Sequence, residues 1–168
     1  ESGSGKSQTG RAILGLTAPE GLVTAKQLEF HGKDLLNCSS SERRKLRGGR
    51  IAMVLQDPKF SLNPVMTIGN QVVETLRTHS RVSAREARVQ ALAALAAVQI
   101  DQPERVYKLY PHEVSGGMGQ RAMIAMMLIA NPELLIADEP TSALDVTVQL
   151  QVLGILDALV IQRGMGLI

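Results

Sequence analysis

The start of the chain carries small residues followed by a lysine and a hydroxyl group. The segment reads Ser2-Gly3-Ser4-Gly5-Lys6-Ser7-Gln8, and a helical pattern follows it. Glycines let successive backbone N–H groups close around an anion, while the lysine supplies charge and the serine hydroxyl can hold Mg²⁺. These residues indicate a phosphate-binding loop at the start of a helix. A Gly/Ser linker is the alternative, because the full pattern G-x-x-x-x-G-K-[ST] needs one more glycine before Glu1.

Two adjacent acids lie near the other end of the chain. Asp138 and Glu139 directly follow the short apolar run Leu134–Ala137, which is typical of a buried strand. Ligands of open α/β sheets bind at the carboxyl ends of the strands. Asp138 is therefore placed to hold a Mg²⁺ shell, and Glu139 to orient and polarise an attacking water. Two solvated acids are the alternative, but together with the glycine-rich loop they indicate a P-loop NTPase, a class that includes kinases, GTPases and helicases.

Three further motifs narrow this class. They are Gln56 at the end of a predicted strand, Val114–Arg121 with the sequence VSGGMGQR, and Ser142–Asp145 with the sequence SALD. In this order they resemble the Q-loop, the signature motif and the D-loop of ATP-binding cassette (ABC) ATPases. The signature departs from the commonest family form at Val114, Met118 and Gly119. A glycine inside a helix costs roughly 1 kcal/mol relative to alanine, so Gly119 either weakens the helix start or removes a phosphate-facing charge.

This resemblance implies a site for ATP and Mg²⁺ at the interface of two subunits. Its implied catalytic residues are Glu139, Gln56 and Lys6, and its implied Mg²⁺ residues are Ser7, Gln56 and Asp138. The implied nucleotide-binding residues are Ser2, Gly3, Ser4, Gly5, Lys6, Ser7, Gln8, Ser115, Gly116, Gly117 and Asp145. In the family, the signature helix binds the γ-phosphate held by the other subunit, for which a helix N-terminus is suited. The D-loop aspartate communicates across that dimer, and the Q-loop touches the membrane partner.

Two segments refine the resemblance further. Gln56-Asp57-Pro58 with Ser61–Pro64, and Tyr110–Glu113, are similar to the ATPase subunits of bacterial dipeptide, oligopeptide and nickel importers. The implied function is ATP hydrolysis coupled to the uptake of a peptide or nickel. The implied partners are a second, identical or paralogous ATPase subunit, transmembrane permease subunits and, indirectly, a periplasmic binding protein. The implied location is the cytoplasmic face of the bacterial inner membrane. A soluble ABC ATPase of DNA repair or translation, and a non-hydrolysing nucleotide-binding module, are the alternatives.

The composition agrees with one ordinary globular domain. Of 168 residues, 45% are hydrophobic and 20% are charged, and the formal net charge is +2. This small charge excess does not favour a nucleic-acid partner, and the basic run Arg43–Arg50 is predicted to be a solvated helix face. No apolar run approaches the roughly 18 residues of a membrane span. His31 and Cys38 lack the second ligand pair of a structural metal site, so we predict no such metal.

The hydrophobic pattern predicts elements that bring the motifs together. One or two short strands are predicted within Leu22–His31, and further strands over Ile51–Leu55 and Leu134–Ala137. A first helix is predicted from the phosphate loop to near Leu16, and two more begin at the capping boxes Ser39/Glu42 and Ser83/Glu86. The spacing of Ile68, Val72 and Leu76 predicts another helix, and Ser115–Ala130 a further one. The last predicted helix carries an apolar stripe of Val146, Leu150, Leu153, Leu156 and Val160.

This order of elements predicts an α/β fold. Its RecA-like P-loop core comprises residues 1–56 and 132–168, and the inserted helical subdomain at 57–131 carries the signature motif. The resemblance further implies that residues 1–168 are an ABC nucleotide-binding domain truncated at both ends. We expect such a piece to hydrolyse ATP poorly on its own.

Overall fold

A computed structural model of the chain describes residues 4–55, 61–142 and 144–168. Within these ranges, three strands form a parallel sheet and two form an antiparallel hairpin. The strands are β1 (Glu29–Phe30), β2 (Lys33–Asp34), β3 (Ile51–Val54), β4 (Leu134–Ala137) and β5 (Gly166–Leu167). The helices are α1 (Lys6–Leu14), α2 (Ser40–Leu46), α3 (Ile68–His79), α4 (Ala84–Ala97), α5 (Pro103–Lys108), α6 (Gly116–Leu128) and α7 (Val146–Arg163), with a 3₁₀ turn at Pro111–Glu113.

Strand β4 lies at the centre of the parallel sheet. It pairs with β3 over four residues, from Ile51 opposite Leu134 to Val54 opposite Ala137, and with β5 on its other side. The predicted strands at 51–55 and 134–137 are thereby confirmed to within one residue. Helices α3 to α6 all lie between β3 and β4 in the chain. The two paired strands are therefore far apart in the sequence. The division into a core at 1–56 and 132–168 and a subdomain at 57–131 stays a prediction.

Apolar side chains cover both faces of this sheet. Alternate residues of a strand point to opposite faces, and β3 shows this as two separate hydrophobic clusters. Ala52 and Val54 belong to the larger cluster, which includes residues of α3 to α7, whereas Ile51 and Met53 belong to the smaller one, with residues of α1 and α2. Burial on both faces is typical of parallel sheets. The edge at the carboxyl ends of the strands is therefore where polar chemistry can be placed.

Residues 22–31 contain one short strand, in agreement with the one or two that the sequence predicted. Only Glu29–Phe30 within this stretch is a strand, and it pairs antiparallel with Lys33–Asp34 just beyond it. Leu22 is 88% exposed, so the start of this stretch has no core face to pack on. The stretch also lacks the alternation of apolar and polar residues that fixes a half-buried strand.

Glycine at position 10 lets α1 lie directly on the sheet. A Cβ atom placed there would lie 3.0 Å from Ile136 Cγ2 and 3.1 Å from Met53 Cε. This close approach brings the first turn of α1 to the ends of β3 and β4. The predicted helix after the glycine-rich segment is confirmed, and it ends at Leu14, with Gly15 in the left-handed conformation at φ +61°.

Two arginines of the basic run cap the end of α1 instead of facing solvent. Arg47 donates from Nε to the Leu14 carbonyl at 2.7 Å and from Nη2 to the Gly15 carbonyl at 2.9 Å. Arg43 donates to the Ala12 carbonyl. The last carbonyls of a helix have no partner within the helix, and a cation there also complements the helix dipole. The prediction of a solvated basic face is therefore wrong for these residues.

Arg50, at the end of the same run, is also engaged. It donates from Nη2 to Glu133 Oε2 at 3.0 Å, and His31 Nε2 lies 2.8 Å from the same oxygen. The Arg50 guanidinium holds the pKa of the Glu133 carboxyl below its ordinary value. The ion pair joins the starts of β3 and β4, and the His31 contact ties the turn of the hairpin β1–β2 to the same glutamate. Arg44 and Lys45 are exposed, as predicted.

The helical segment packs through the positions that its periodicity predicted. Ile68, Val72 and Leu76 of α3 are each at most 3% exposed, and both predicted capping boxes are formed at the starts of α2 and α4. Gly69 lies against the Tyr107 ring so closely that a Cβ atom would fall 2.2 Å from the ring carbons. This contact sets the separation of α3 and α5.

The last helix turns only part of the predicted stripe to the core. Val152, Ile155, Leu156 and Leu159 are buried, whereas Val146, Leu150 and Leu153 are 72%, 67% and 43% exposed. The prediction holds for Leu156 and Val160, which pack in or against the larger cluster, and is wrong for the other three residues, because apolar residues occur on nearly every side of α7. By length and composition α7 also meets the criteria for a membrane span. That corrects the expectation that no run approaches such a length, although its buried face belongs to the larger hydrophobic cluster.

Candidate active site

A hydrogen bond joins the two predicted halves of the site. Ser7 Oγ donates to Asp138 Oδ1 at 2.8 Å, across 131 residues of sequence. Ser7 is in the first turn of α1, and Asp138 follows β4 and donates its own N–H to the Val54 carbonyl at the end of β3. The serine of the phosphate loop and the first acid after the strand are therefore neighbours.

The described part of the phosphate loop has the geometry of a helix start. Gly5 precedes α1 with φ +85°, a conformation that favours glycine. Its carbonyl accepts from the Thr9 N–H at 2.9 Å, while Lys6 Nζ donates to Ser4 Oγ at 3.1 Å. The first N–H groups of a helix point outward along its axis and suit an anion. Gln8 is exposed in the same turn, and Ser2 and Gly3 lie outside the described residues.

An open cavity of about 460 Å³ lies between α1 and the residues after β4. Lys6 and Asp138 line it together with Glu139, so three predicted site residues share one space. The remaining lining residues are Thr9, Gly10, Ile136, Ala137, Pro140 and Ile168. A lysine, a helix N-terminus and two carboxylates around one cavity suit a phosphate chain with its counter-ion.

Glu139 has a strained backbone. Its φ is +46°, in the left-handed region that residues with a Cβ rarely adopt. The next two carbonyls each accept a hydrogen bond from a glutamine side chain. Gln120 of α6 donates to the Pro140 carbonyl, and Gln149 of α7 donates to the Thr141 carbonyl at 2.9 Å. Sequence reasoning missed both glutamines, and only the position of Gln120 on a mostly apolar helix could have suggested a buried polar contact.

The signature residues form the N-terminus of α6, as predicted. Ser115 caps the helix by accepting from the Met118 N–H, and Gly119 donates normally to the Ser115 carbonyl at 2.8 Å. Gly119 therefore leaves the helix start intact. Gly116 and Gly117 are not among the residues that line the cavity with Lys6; Gly117 packs instead on Val148, with 2.6 Å from a placed Cβ to Val148 Cγ1.

Asp145 and Gln56 are the two remaining predicted site residues, and the structure describes only the first. Asp145 caps α7, accepting from the Val148 N–H at 3.1 Å, so its carboxylate serves the start of a helix. Gln56 lies outside the described residues, and its predicted roles stay predictions.

The oxygen atoms of Ser7 and Asp138 are suitable ligands for the implied Mg²⁺. Ser7 and Asp138 place a hydroxyl and a carboxylate oxygen 2.8 Å apart, and Asp138 lines the cavity. Mg²⁺ prefers oxygen ligands and is commonly held by one or two protein groups together with substrate phosphates and water. The residues present therefore agree with the ion that the sequence implied.

Comparison with known proteins identifies the family. The model of the ABC transporter family matches residues 1–142. The chain is 49% identical over 159 residues to the oligopeptide transport ATP-binding protein OppD of Escherichia coli (strain K12), covering 95% of this chain and 47% of that protein. It is 47% identical over 168 residues to the dipeptide transport ATP-binding protein DppD of the same organism, covering 100% and 51%. The chain thus spans about half the length of these relatives.

Solved structures share the fold. The ATP-binding cassette MJ0796, described as a dimer in a post-hydrolysis state bound to ADP and Pi, matches with a TM-score of 0.84 and 30% identity over 99% of this chain and 69% of that one. The structure of cbiO1 from Clostridium perfringens matches with a TM-score of 0.81 and 26% identity over 99% and 62%. These matches confirm the predicted α/β fold of P-loop NTPases.

Proposed function

Because this chain belongs to the ABC transporter family, we propose that it carries the ATP-hydrolysing site of a bacterial peptide importer. The observation that carries this proposal is the hydrogen bond between Ser7 and Asp138, since it brings the phosphate loop and the paired acids to one cavity. The relatives named for oligopeptide and dipeptide transport favour a peptide over nickel as the cargo.

The residues around the cavity have distinct roles in the proposed reaction. Lys6 and the first N–H groups of α1 bind the phosphates of ATP and neutralise their charge. Ser7 and Asp138 hold Mg²⁺, which when bound shields the charge on the phosphates. Glu139 lines the same cavity and orients the attacking water, accepting its proton as a general base.

We infer that the complete site needs a second copy of the cassette. The signature residues at the N-terminus of α6 are not in the lining of the cavity that holds Lys6, so they are available to an ATP bound elsewhere. A solved relative of the same fold is described as a dimer. Ser115–Gly117 of one subunit would then bind the γ-phosphate held by the other, and Asp145 would lie near that interface.

We further propose that the subunit is peripheral, on the cytoplasmic face of the inner membrane, and contacts permease subunits through the Gln56 loop. Hydrolysis of ATP between the two cassettes would release them from each other and so drive the permease. A binding protein in the periplasm would deliver the peptide without touching this subunit. The names of the peptide-transport relatives support this assignment.

Glu139→Gln in the full-length protein tests the proposal. Removing the general base should lower the rate of ATP hydrolysis by about 100-fold or more, while ATP binding is retained and a closed dimer accumulates. Radiolabelled ATP binding, steady-state turnover and gel filtration measure these three properties. Glu20→Gln, at an exposed turn, is the matched control and should change none of them. Unchanged hydrolysis in Glu139→Gln would remove Glu139 from the role of base.

A further inference from the structure

Neighbouring residues hold the strained backbone of Glu139 in place. A non-glycine residue at φ +46° costs of order 1 kcal/mol or more and persists only when its surroundings fix it. Proline at position 140 has no N–H group, so the hydrogen-bonding backbone group of that residue is its carbonyl. The backbone of Pro140 can therefore be held by a hydrogen bond only through its carbonyl oxygen.

Two helices supply donors to these carbonyls. Gln120, which is 1% exposed, donates from α6 to Pro140, and Gln149, which is half-buried, donates from α7 to Thr141. The Glu139 carbonyl itself accepts from the Ser142 N–H at 3.2 Å. The carbonyls at 139, 140 and 141 are thus each fixed by a donor, and the Thr141 carbonyl accepts from a second one, the Leu144 N–H, at 3.1 Å. Together these hydrogen bonds fix the backbone conformation of Glu139, whose carboxylate belongs to a residue that lines the cavity.

We propose that Gln120 and Gln149 are positioning residues for Glu139, acting as an amide clamp on the carbonyls of Pro140 and Thr141. The clamp fixes the left-handed backbone at Glu139, so that its carboxylate is held toward the attacking water. This inference rests on the proposed function of Glu139 as the general base. The clamp touches neither ATP nor the water and acts only through the backbone.

The two glutamines also connect separate parts of the site. Gln120 lies in the helix that begins with the signature residues, and Gln149 lies in the first turn of the helix capped by Asp145. Both helix starts are parts of the proposed interface with the second subunit. A shift of either helix start would pull on a carbonyl next to Glu139. Through the clamp, a movement at the subunit interface would therefore change the position of the general base.

Substitutions at Gln149 test the clamp without disturbing the buried core. Gln149→Glu keeps the shape of the side chain but replaces the donor with an ionised acceptor, whereas Gln149→Lys retains a donor. In the full-length protein we expect Gln149→Glu to lower kcat about tenfold with KM for ATP unchanged within twofold, which is the signature of a lost transition-state interaction. Gln149→Lys should stay within threefold of the wild type.

Gln151→Glu is the matched control, because Gln151 is exposed on the same helix and the change in charge is identical. It should leave kcat and KM unchanged. If Gln151→Glu loses as much activity as Gln149→Glu, or if Gln149→Glu has wild-type kcat, the clamp is overturned. A raised KM with unchanged kcat would also overturn it, because that pattern reports nucleotide binding.

A double variant separates the clamp from the role of Glu139. Residues that act through one group have non-additive effects, so Gln149→Glu should cause less than a twofold further loss in the Glu139→Gln background, measured in single-turnover hydrolysis. A further tenfold loss would show that Gln149 acts elsewhere. If Glu139→Gln itself hydrolyses ATP normally, the proposed function fails; if Glu139→Gln is inactive while Gln149→Glu is fully active, only the clamp fails.

Discussion

Single glycines set the distances between elements of this site. At Gly117 the signature helix approaches Val148 of α7 so closely that a Cβ atom would lie 2.6 Å from Val148 Cγ1. The side chain in the way is β-branched and therefore has little rotameric freedom in a helix. The first turns of α6 and α7 cannot keep this spacing with any larger residue at position 117.

Gly117→Ala is accordingly expected to destabilise the full-length protein by about 1–3 kcal/mol, the usual cost of overpacking a tight contact. Removing the obstructing methyl group in Gly117→Ala/Val148→Ala should restore part of this loss. Urea unfolding of the wild type, both single variants and the double variant measures the coupling. Strictly additive effects would contradict a direct contact between the two residues.

At the scale of elements, the N-terminus and the C-terminus of α1 are held by different parts of the chain. The first turn meets β4 through Ser7 and Asp138, and the last turn is capped by Arg47 of the segment after α2. Charge-assisted hydrogen bonds to backbone carbonyls are stronger than neutral ones. Helix α1 is therefore fixed at both ends, which holds Lys6 in place over the cavity.

Replacing Arg47 by methionine should cost about 1–3 kcal/mol of stability, because the carbonyls of Leu14 and Gly15 lose a charged donor. Arg44→Met, at an exposed position of α2, is the control and should stay within about 0.5 kcal/mol of the wild type. Thermal and urea unfolding measure both. Equal losses in the two variants would mean that the cap at Arg47 adds nothing beyond its surface charge.

The sequence predicted these elements better than it predicted their contacts. Patterns such as the capping box Ser83/Glu86 and the continuous apolar run Ile51–Leu55 are local, so they were read correctly. The exposed face of α7 was misassigned because apolar residues surround that helix and periodicity alone cannot select one side. Arg47 and Gln149 were missed for a related reason, since nothing local shows that a polar side chain will reach a carbonyl on another element.

At the scale of the molecule, the candidate site joins residues from opposite ends of the chain. Ser7 and Asp138 are 131 positions apart, and their proximity agrees with the family resemblance, which implied that both hold the same Mg²⁺. What the sequence could not supply is the arrangement of α6 relative to that edge. A ligand at such a site stabilises the complete fold, because its binding groups separate when the chain unfolds.

Nucleotide binding should therefore raise the stability of the whole protein. MgATP at 100 times its Kd stabilises a folded state by about 2.7 kcal/mol if it does not bind the unfolded chain. At that same concentration, Lys6→Ala should lose most of this gain, whereas the exposed Lys26→Ala should retain it. Differential scanning fluorimetry with and without MgATP measures the shift, and chelation of Mg²⁺ should reduce it. Equal shifts in the wild type and Lys6→Ala would contradict phosphate binding by Lys6.

The contact between Gly69 and Tyr107 has a consequence for how this chain can change over generations. A Cβ atom at position 69 would lie 2.2 Å from carbons of the aromatic ring, and no amino acid is smaller than glycine. Every substitution of Gly69 by a point mutation therefore introduces a larger residue. We expect no neutral substitution at this position. The outward side of α7 around Leu150 is under no such restriction, and mutations can accumulate there without moving α3 against α5.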